Sequence, residues 1–262
     1  MLSKNKARFI ITLQRKKARD EERLYVIEGD KIVREFLVAG RKITQLVAKP
    51  EFLKTIQESL LKNVEEIIEA SYDDLKQVST LKTPHNALAL VSYEDKKISI
   101  PAAFADSLCC ALESVQDPGN LGTIIRAGAW FGIRNIVCSP DCVDVYNPKV
   151  IQASMGALLH VDVYYHDLND FLNQVKESGK PVFGTVLGGE SVYEHDLSNT
   201  GVILLGNESR GISEYLNPFL TDRIMIPGAG TGPGIDSLNV GMAASVVFSE
   251  FRRRFLLQAP GT

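Results

Sequence analysis

The chain has 262 residues, 45% hydrophobic and 23% charged, which excludes wholesale disorder and allows one large domain or two ordinary ones. No apolar run reaches the roughly 18–20 residues that span a bilayer, and no signal-peptide pattern opens the chain, so a cytoplasmic location without membrane contact is expected. The net charge of −3 excludes a uniformly basic nucleic-acid binder, yet residues 1–20 hold seven Lys/Arg against one acid, a net of +6 that leaves −9 for the remainder. A basic segment on an acidic body fits contact with a phosphate backbone at one place, and it equally fits a solvated helix face.

In chain order, residues 3–19 read as a helix, 24–29 as a short strand and 30–39 as a helix ending at Gly40. A strand over 43–49, a helix over 51–62, a strand over 64–70, a helix over 73–81 and a strand over 86–93 complete a small αβ sandwich. Residues 96–106 form a linker of charges, a proline and small residues, which divides the chain into domains at 1–95 and 107–262.

The second half restarts with SLCCALESV (107–115), the near-continuous apolar run of a buried parallel strand. Helices are expected over 120–132, 148–159, 167–178 and 237–256. They alternate with strands over 135–139, 160–165, 181–186, 202–206 and 223–227. Alternating βα units predict a parallel sheet covered by helices on both faces. Cys109 and Cys110 read as small buried hydrophobes. Cys138 and Cys142 form no CxxC pair, so free thiols and no metal are expected.

Three segments after predicted strands could carry chemistry, because ligands of open α/β sheets bind beyond the carboxyl ends of the strands. In QDPGNLGTIIRAGAWFG (116–132), Asn120 is placed to cap a helix whose one charge is Arg126, among Ile124, Ile125, Trp130 and Phe131. Such a helix is expected to be buried, so Arg126 needs a partner: a structural carboxylate, or the groups of a polar active site. In LLGNESRGI (204–212), glycines flank Asn207 and Glu208 and permit close approach to a ligand. In IMIPGAGTGPGIDSLNVGMAASVVF (224–248), a glycine-rich loop leads to a nearly uncharged helix capped by Asp236 or Ser237. That loop lacks the GK[ST] ending of a phosphate-binding loop.

Taken together, these segments resemble the three signature motifs of the SpoU/TrmH branch of the SPOUT RNA methyltransferases. The matching residues are Asn120, Gly122 and Arg126; Gly206, Asn207, Glu208 and Gly211; and Ile226, Pro227, Ser237, Leu238, Asn239 and Val240. NPKVIQASMGALL (147–159) resembles the family's middle helix, with Gln152 in place of a frequent arginine. The loop from Pro227 to Ser237 is longer than usual, and Gly228 stands where methionine is common. Residues 13–37, centred on Glu28 and Gly29, resemble the small RNA-binding domain of ribosomal-protein type that often precedes this catalytic domain.

The resemblance implies an α/β parallel-sheet SPOUT domain with a C-terminal trefoil knot, and a homodimer. It implies S-adenosylmethionine held near Thr185, Gly206, Ile226 and Leu238, without metal. The expected reaction is methylation of a ribose 2′-hydroxyl in structured RNA, ribosomal RNA before transfer RNA. Arg126, Asn120, Glu208, Ser237 and Asn239 would serve the chemistry, while Arg15, Lys16, Lys17 and Arg19 would contact RNA. The alternatives are a non-catalytic RNA-binding protein of the same fold and methylation of a base.

Overall fold

The computed structural model describes residues 1–94, 107–228 and 237–256. The expected linker and the glycine-rich loop from 229 to 236, with Asp236, lie outside the described residues. The chain divides into two compact units, one comprising the described residues up to 94 with 144–159, the other the rest.

The first unit contains α1 (Lys4–Thr12), α2 (Lys16–Glu22), β1 (Leu24–Glu28), α3 (Asp30–Val38), β2 (Ile43–Ala48), α4 (Pro50–Leu53), β3 (Val64–Glu69), α5 (Tyr72–Val78) and β4 (Ala87–Ser92). Its sheet runs β1-β4-β2-β3, with β2 and β3 parallel and the other pairs antiparallel. Side chains alternate across this sheet. Val26, Val47, Leu88 and Leu90 face α1 and α5, while Tyr25, Ile27, Leu46 and Ala89 face α3 and Phe52.

Two long helices expected here are broken. Residues 3–19 divide into α1 and α2 because the Arg19 guanidinium donates to the carbonyls of Leu13 and Gln14, both at 2.9 Å, in place of helical amides. The helix expected over 51–62 shrinks to α4 and a 3-10 turn over Glu58–Asn63. Here Arg34 takes the Thr55 carbonyl at 3.1 Å and so closes α4 from outside.

Residues 144–159, assigned above to the second domain, belong to this compact unit. Asp144 pairs with buried Arg19, and Tyr146 stacks on Tyr25 with ring centroids 4.4 Å apart. Ile151, on α7 (Pro148–Ser154), enters the same core as Phe36 and Leu46.

The second unit contains β5 (Leu108–Leu112), α6 (Pro118–Phe131), β6 (Asn135–Cys138), β7 (Asp162–Tyr165), α8 (Leu168–Glu177), β8 (Val182–Ser191), β9 (Gly201–Leu205), β10 (Asp222–Met225) and α9 (Val240–Leu256). Among the described residues its six-stranded sheet is parallel throughout, in the order β10-β8-β9-β5-β6-β7. Helix α8 covers one face through Leu168, Phe171, Leu172 and Val175, against Cys109, Val137, Val202 and Leu204. On the other face Gly128 lets α6 lie close to Ile136, and Phe251 of α9 meets Phe183 edge-on at 5.0 Å.

Strand β8 is interrupted. Gly184 pairs with Arg223 and Glu190 with Ile224, so the five residues between them on β8 bulge outward at one step of β10.

Candidate active site

Strand β5 lies between β6 and β9, where the direction of strand addition reverses, and the crevice beyond its carboxyl end is where an α/β sheet binds ligands. The loops that follow β5, β9 and β10 carry the three motifs.

After β5, the Asp117 carboxylate accepts from the Asn120 amide N–H at 2.8 Å, and Pro118 fills the first turn of α6. The helix cap is therefore Asp117, not Asn120, which leaves the Asn120 side chain free to reach other elements. Spacings of three and four place Asn120, Thr123, Arg126 and Trp130 along one face of α6. The opposite face buries Leu121, Ile124, Ile125 and Gly128.

The expectation of a wholly buried helix fails on the first face. Arg126 is exposed and makes no hydrogen bond or ion pair with another described residue, and Trp130 is 84% exposed. Among the described residues the guanidinium thus has no structural ion pair to maintain.

After β9, the chain reverses between Asn207 and Gly211, whose backbones exchange hydrogen bonds of 3.0 and 2.9 Å. A Cβ on Gly206 would overlap backbone atoms of Gly211 and Ile212, so this reversal requires glycine. The Asn207 side chain closes the turn from inside. Its Oδ1 accepts from the N–H groups of Ser209 at 3.0 Å and Arg210 at 3.2 Å, and its Nδ2 donates to the Ser114 carbonyl at 2.8 Å. Glu208 is exposed, and its carboxylate accepts from Asn120 Nδ2 at 2.9 Å and Asn207 Nδ2 at 3.4 Å.

At the third motif, Asn239 caps α9. Its Oδ1 accepts from Gly241 N–H at 3.0 Å and Met242 N–H at 3.3 Å, the role expected of Asp236 or Ser237. Its Nδ2 donates to Asn120 Oδ1 at 2.8 Å. A continuous chain of bonds therefore runs from Ser114 through Asn207, Glu208, Asn120 and Asn239 into the amino terminus of α9. It brings together three of the five catalytic candidates. Arg126 stands on the same helix face as Asn120. Ser237 is exposed and is not joined to this chain among the described residues.

The cofactor candidates border the same strand ends. Gly206 is buried in the reversal, Ile226 is half-buried after β10, and Leu238 is 46% exposed before α9. The Thr185 hydroxyl is already committed to the Leu204 carbonyl at 3.1 Å, so Thr185 offers its backbone at the start of the β8 bulge. Leu187 in that bulge, which sequence reasoning missed, is 80% exposed. A bulge leaves no mark in the hydrophobic pattern except the following glycines, Gly188 and Gly189.

Of the four RNA-contact candidates, Arg15, Lys16 and Lys17 are exposed. Arg19 is not available. It is 2% exposed and paired with Asp144, since a buried guanidinium must be neutralised and hydrogen-bonded. All four cysteines are free and buried. Burial pushes the thiols of Cys109 and Cys110 far up, and a hydrogen bond to Cys142 together with burial does the same to Cys138, so none of these three is a nucleophile at neutral pH.

The pattern of the SpoU rRNA Methylase family matches residues 107–249, and that of the MRM3-like substrate binding domain matches residues 4–89. The chain is 27% identical over 241 residues to the 23S rRNA (guanosine(2553)-2′-O)-methyltransferase RlmP of Bacillus subtilis (strain 168), spanning 92% of this chain and 93% of that one. Its fold superposes with a TM-score of 0.86 on a TrmH-family protein from Porphyromonas gingivalis, 36% identical, over 97% of this chain and 99% of the other. An AdoMet-bound rRNA methyltransferase from Sinorhizobium meliloti superposes with a TM-score of 0.85 at 26% identity, over 97% of both chains. With the three motifs joined by one run of hydrogen bonds at the carboxyl edge of a parallel sheet, the chain belongs to the SpoU rRNA methylase family.

Proposed function

We propose that this protein transfers a methyl group from S-adenosylmethionine to a ribose 2′-hydroxyl of ribosomal RNA. The observation that carries this reading is the Asn207–Glu208–Asn120–Asn239 run of bonds, which organises an exposed carboxylate beside the helix that presents Arg126, an arginine without a partner among the described residues. The likeness to RlmP over nearly the whole of both chains supports the same substrate class.

The strand ends fit the cofactor. Leu187, Ile226 and Leu238 offer apolar surface to an uncharged adenosyl group, with backbone groups beside them and no phosphate-binding GK[ST] loop. When bound, S-adenosylmethionine supplies an electrophilic methyl on a sulfonium. The chain's own work is to place a 2′-oxygen and raise its nucleophilicity.

Arg126 does not act as a base, because a guanidinium keeps its proton in proteins. It holds a phosphate next to the target ribose through two-pronged hydrogen bonds and stabilises negative charge developing on the oxygen. Glu208 keeps its orientation through the two asparagine amides and retains lone pairs that can accept the hydroxyl proton. Asn239 ties this arrangement to α9, and Ser237 stands at the entrance to the same helix.

A homodimer is part of this proposal. Trp130 and Met242, 84% and 59% exposed, leave apolar surface on α6 and α9, which pack on each other. Light scattering should give twice the 28.9 kDa chain mass. The buried free thiols suit a reducing compartment, and we place the protein in the cytoplasm.

The test is transfer of labelled methyl to ribosomal and transfer RNA, followed by alkaline hydrolysis. A methylated 2′-oxygen blocks strand cleavage, so label from ribosomal RNA should appear in alkali-resistant dinucleotides. Label in transfer RNA would shift the substrate, and label in mononucleotides would overturn ribose methylation.

A further inference from the structure

Ser114, two residues beyond β5, has a φ of 54°, in the left-handed region where a residue with a side chain stays only if its neighbours hold it. Every polar group of Ser114 is engaged. Its N–H donates to Ser139 Oγ at 2.8 Å, its hydroxyl donates to Asp141 Oδ2, and its carbonyl accepts from Asn207 Nδ2 at 2.8 Å. The other Asp141 oxygen accepts from Ser139 Oγ at 2.5 Å. One carboxylate thus gathers both hydroxyls that fix the backbone at the end of the central strand.

The direction of the Ser114 carbonyl matters because it holds the Asn207 amide. That amide closes the turn through Ser209 and Arg210 and touches Glu208. Burial alone would push the Asp141 carboxyl up. Hydrogen bonds from Ser114, Ser139 and its own N–H, with the charge of Arg210, outweigh this and hold it below the usual carboxylate range, so it remains an acceptor.

We infer that Asp141 is a positioning residue for methyl transfer: it keeps Ser114 left-handed and, through the Ser114 carbonyl, sets the Asn207–Gly211 loop that presents Glu208. The inference rests on the methyltransferase reading above for its consequence in rate, but not for its consequence in structure.

The experiment compares the full-length protein with Asp141→Ala and with Asp141→Ala combined with Ser114→Gly. Two quantities are read: amide hydrogen exchange at Ser209 and Arg210, and single-turnover methylation of ribosomal RNA. In Asp141→Ala the two amides should exchange on the order of 10-fold faster. Methylation should slow by on the order of 10²-fold, the scale of a small misplacement at a reacting centre. Adding Ser114→Gly should return both toward wild type, because glycine adopts the left-handed conformation without a carboxylate to hold it. A merely structural role for Asp141 gives no such rescue. Unchanged exchange in Asp141→Ala, or slowed methylation that glycine does not restore, would overturn the inference. If the alanine variant does not fold, Asp141→Asn, which keeps the shape and loses one acceptor, is judged by the same two readouts. A wild-type protein that methylates no RNA removes the methyltransferase reading, whereas unchanged exchange removes the role of Asp141.

Discussion

Asn120 donates to Glu208 Oε1 at 2.9 Å across 88 residues of sequence while it accepts the Asn239 amide on its own oxygen at 2.8 Å. Both ends of one amide are used, so its orientation is fixed and neither partner can be satisfied by a simple flip. Asn120→Asp would set a second carboxylate against Glu208. We expect its melting temperature to fall by a few degrees and its single-turnover rate by on the order of 10²-fold, with cofactor affinity retained. Calorimetry and single-turnover assays on one preparation check this; a rate within about twofold of wild type would detach Asn120 from the chemistry.

Arg126→Ala separates enzyme from scaffold. The guanidinium is exposed and has no partner among the described residues, so its removal should change stability by no more than about 0.5 kcal/mol. Methylation should nevertheless fall by orders of magnitude, and Arg126→Lys should not restore it, since a point charge cannot reproduce a forked grip on phosphate. Near-normal turnover by a folded Arg126→Ala protein would contradict the site assignment.

Gly206→Ala asks the reversal after β9 to accept a methyl where backbone stands. Overpacking of this kind costs about 1–3 kcal/mol, and the displaced loop should also weaken S-adenosylmethionine binding. Urea midpoints and titration calorimetry measure the two effects. An alanine variant with wild-type values for both would mean that the loop yields freely.

The basic segment should divide in two by function. Replacing exposed Arg15, Lys16 and Lys17 with alanine should lower the slope of log affinity against log salt by about 0.7–0.9 for each phosphate no longer neutralised, without loss of stability. Arg19→Ala should instead cost about 3–5 kcal/mol by leaving Asp144 largely buried without its cation. Replacing both partners with leucine should recover much of that loss. If Arg19→Ala alters the salt slope and not the denaturation midpoint, the ion pair is not structural.

The parallel sheet was legible because LCCAL, NIVC and GVILL are apolar almost without interruption, which only a strand buried on both faces requires. The motif residues were legible as types and spacings. Their connections were not, because the Asn120–Glu208 and Asn120–Asn239 bonds join segments far apart in the chain. The exposure of Arg126 was hidden for a related reason. A helix with one charge reads as buried, but the apolar Trp130 beside it lies on the solvent side, and composition does not reveal which face a partner would cover. The broken helices at 13–15 and 54–57 share one cause. In both, an arginine side chain, Arg19 from within the expected helix and Arg34 from α3, takes a carbonyl that helix propensity would have assigned to a local amide.

The Arg19–Asp144 pair has a consequence for how the protein is made. Translation delivers the first 94 residues before Asp144, Tyr146 and Ile151, so the N-terminal sheet leaves the ribosome with Arg19 lacking its carboxylate and Tyr25 lacking its stacking partner. The peptide that supplies them arrives only after β5, α6 and β6 have been synthesised. Completion of the N-terminal half is thereby tied to synthesis of the catalytic half. A polypeptide truncated between them should be degraded as an unfinished chain, not persist as a free competitor for RNA.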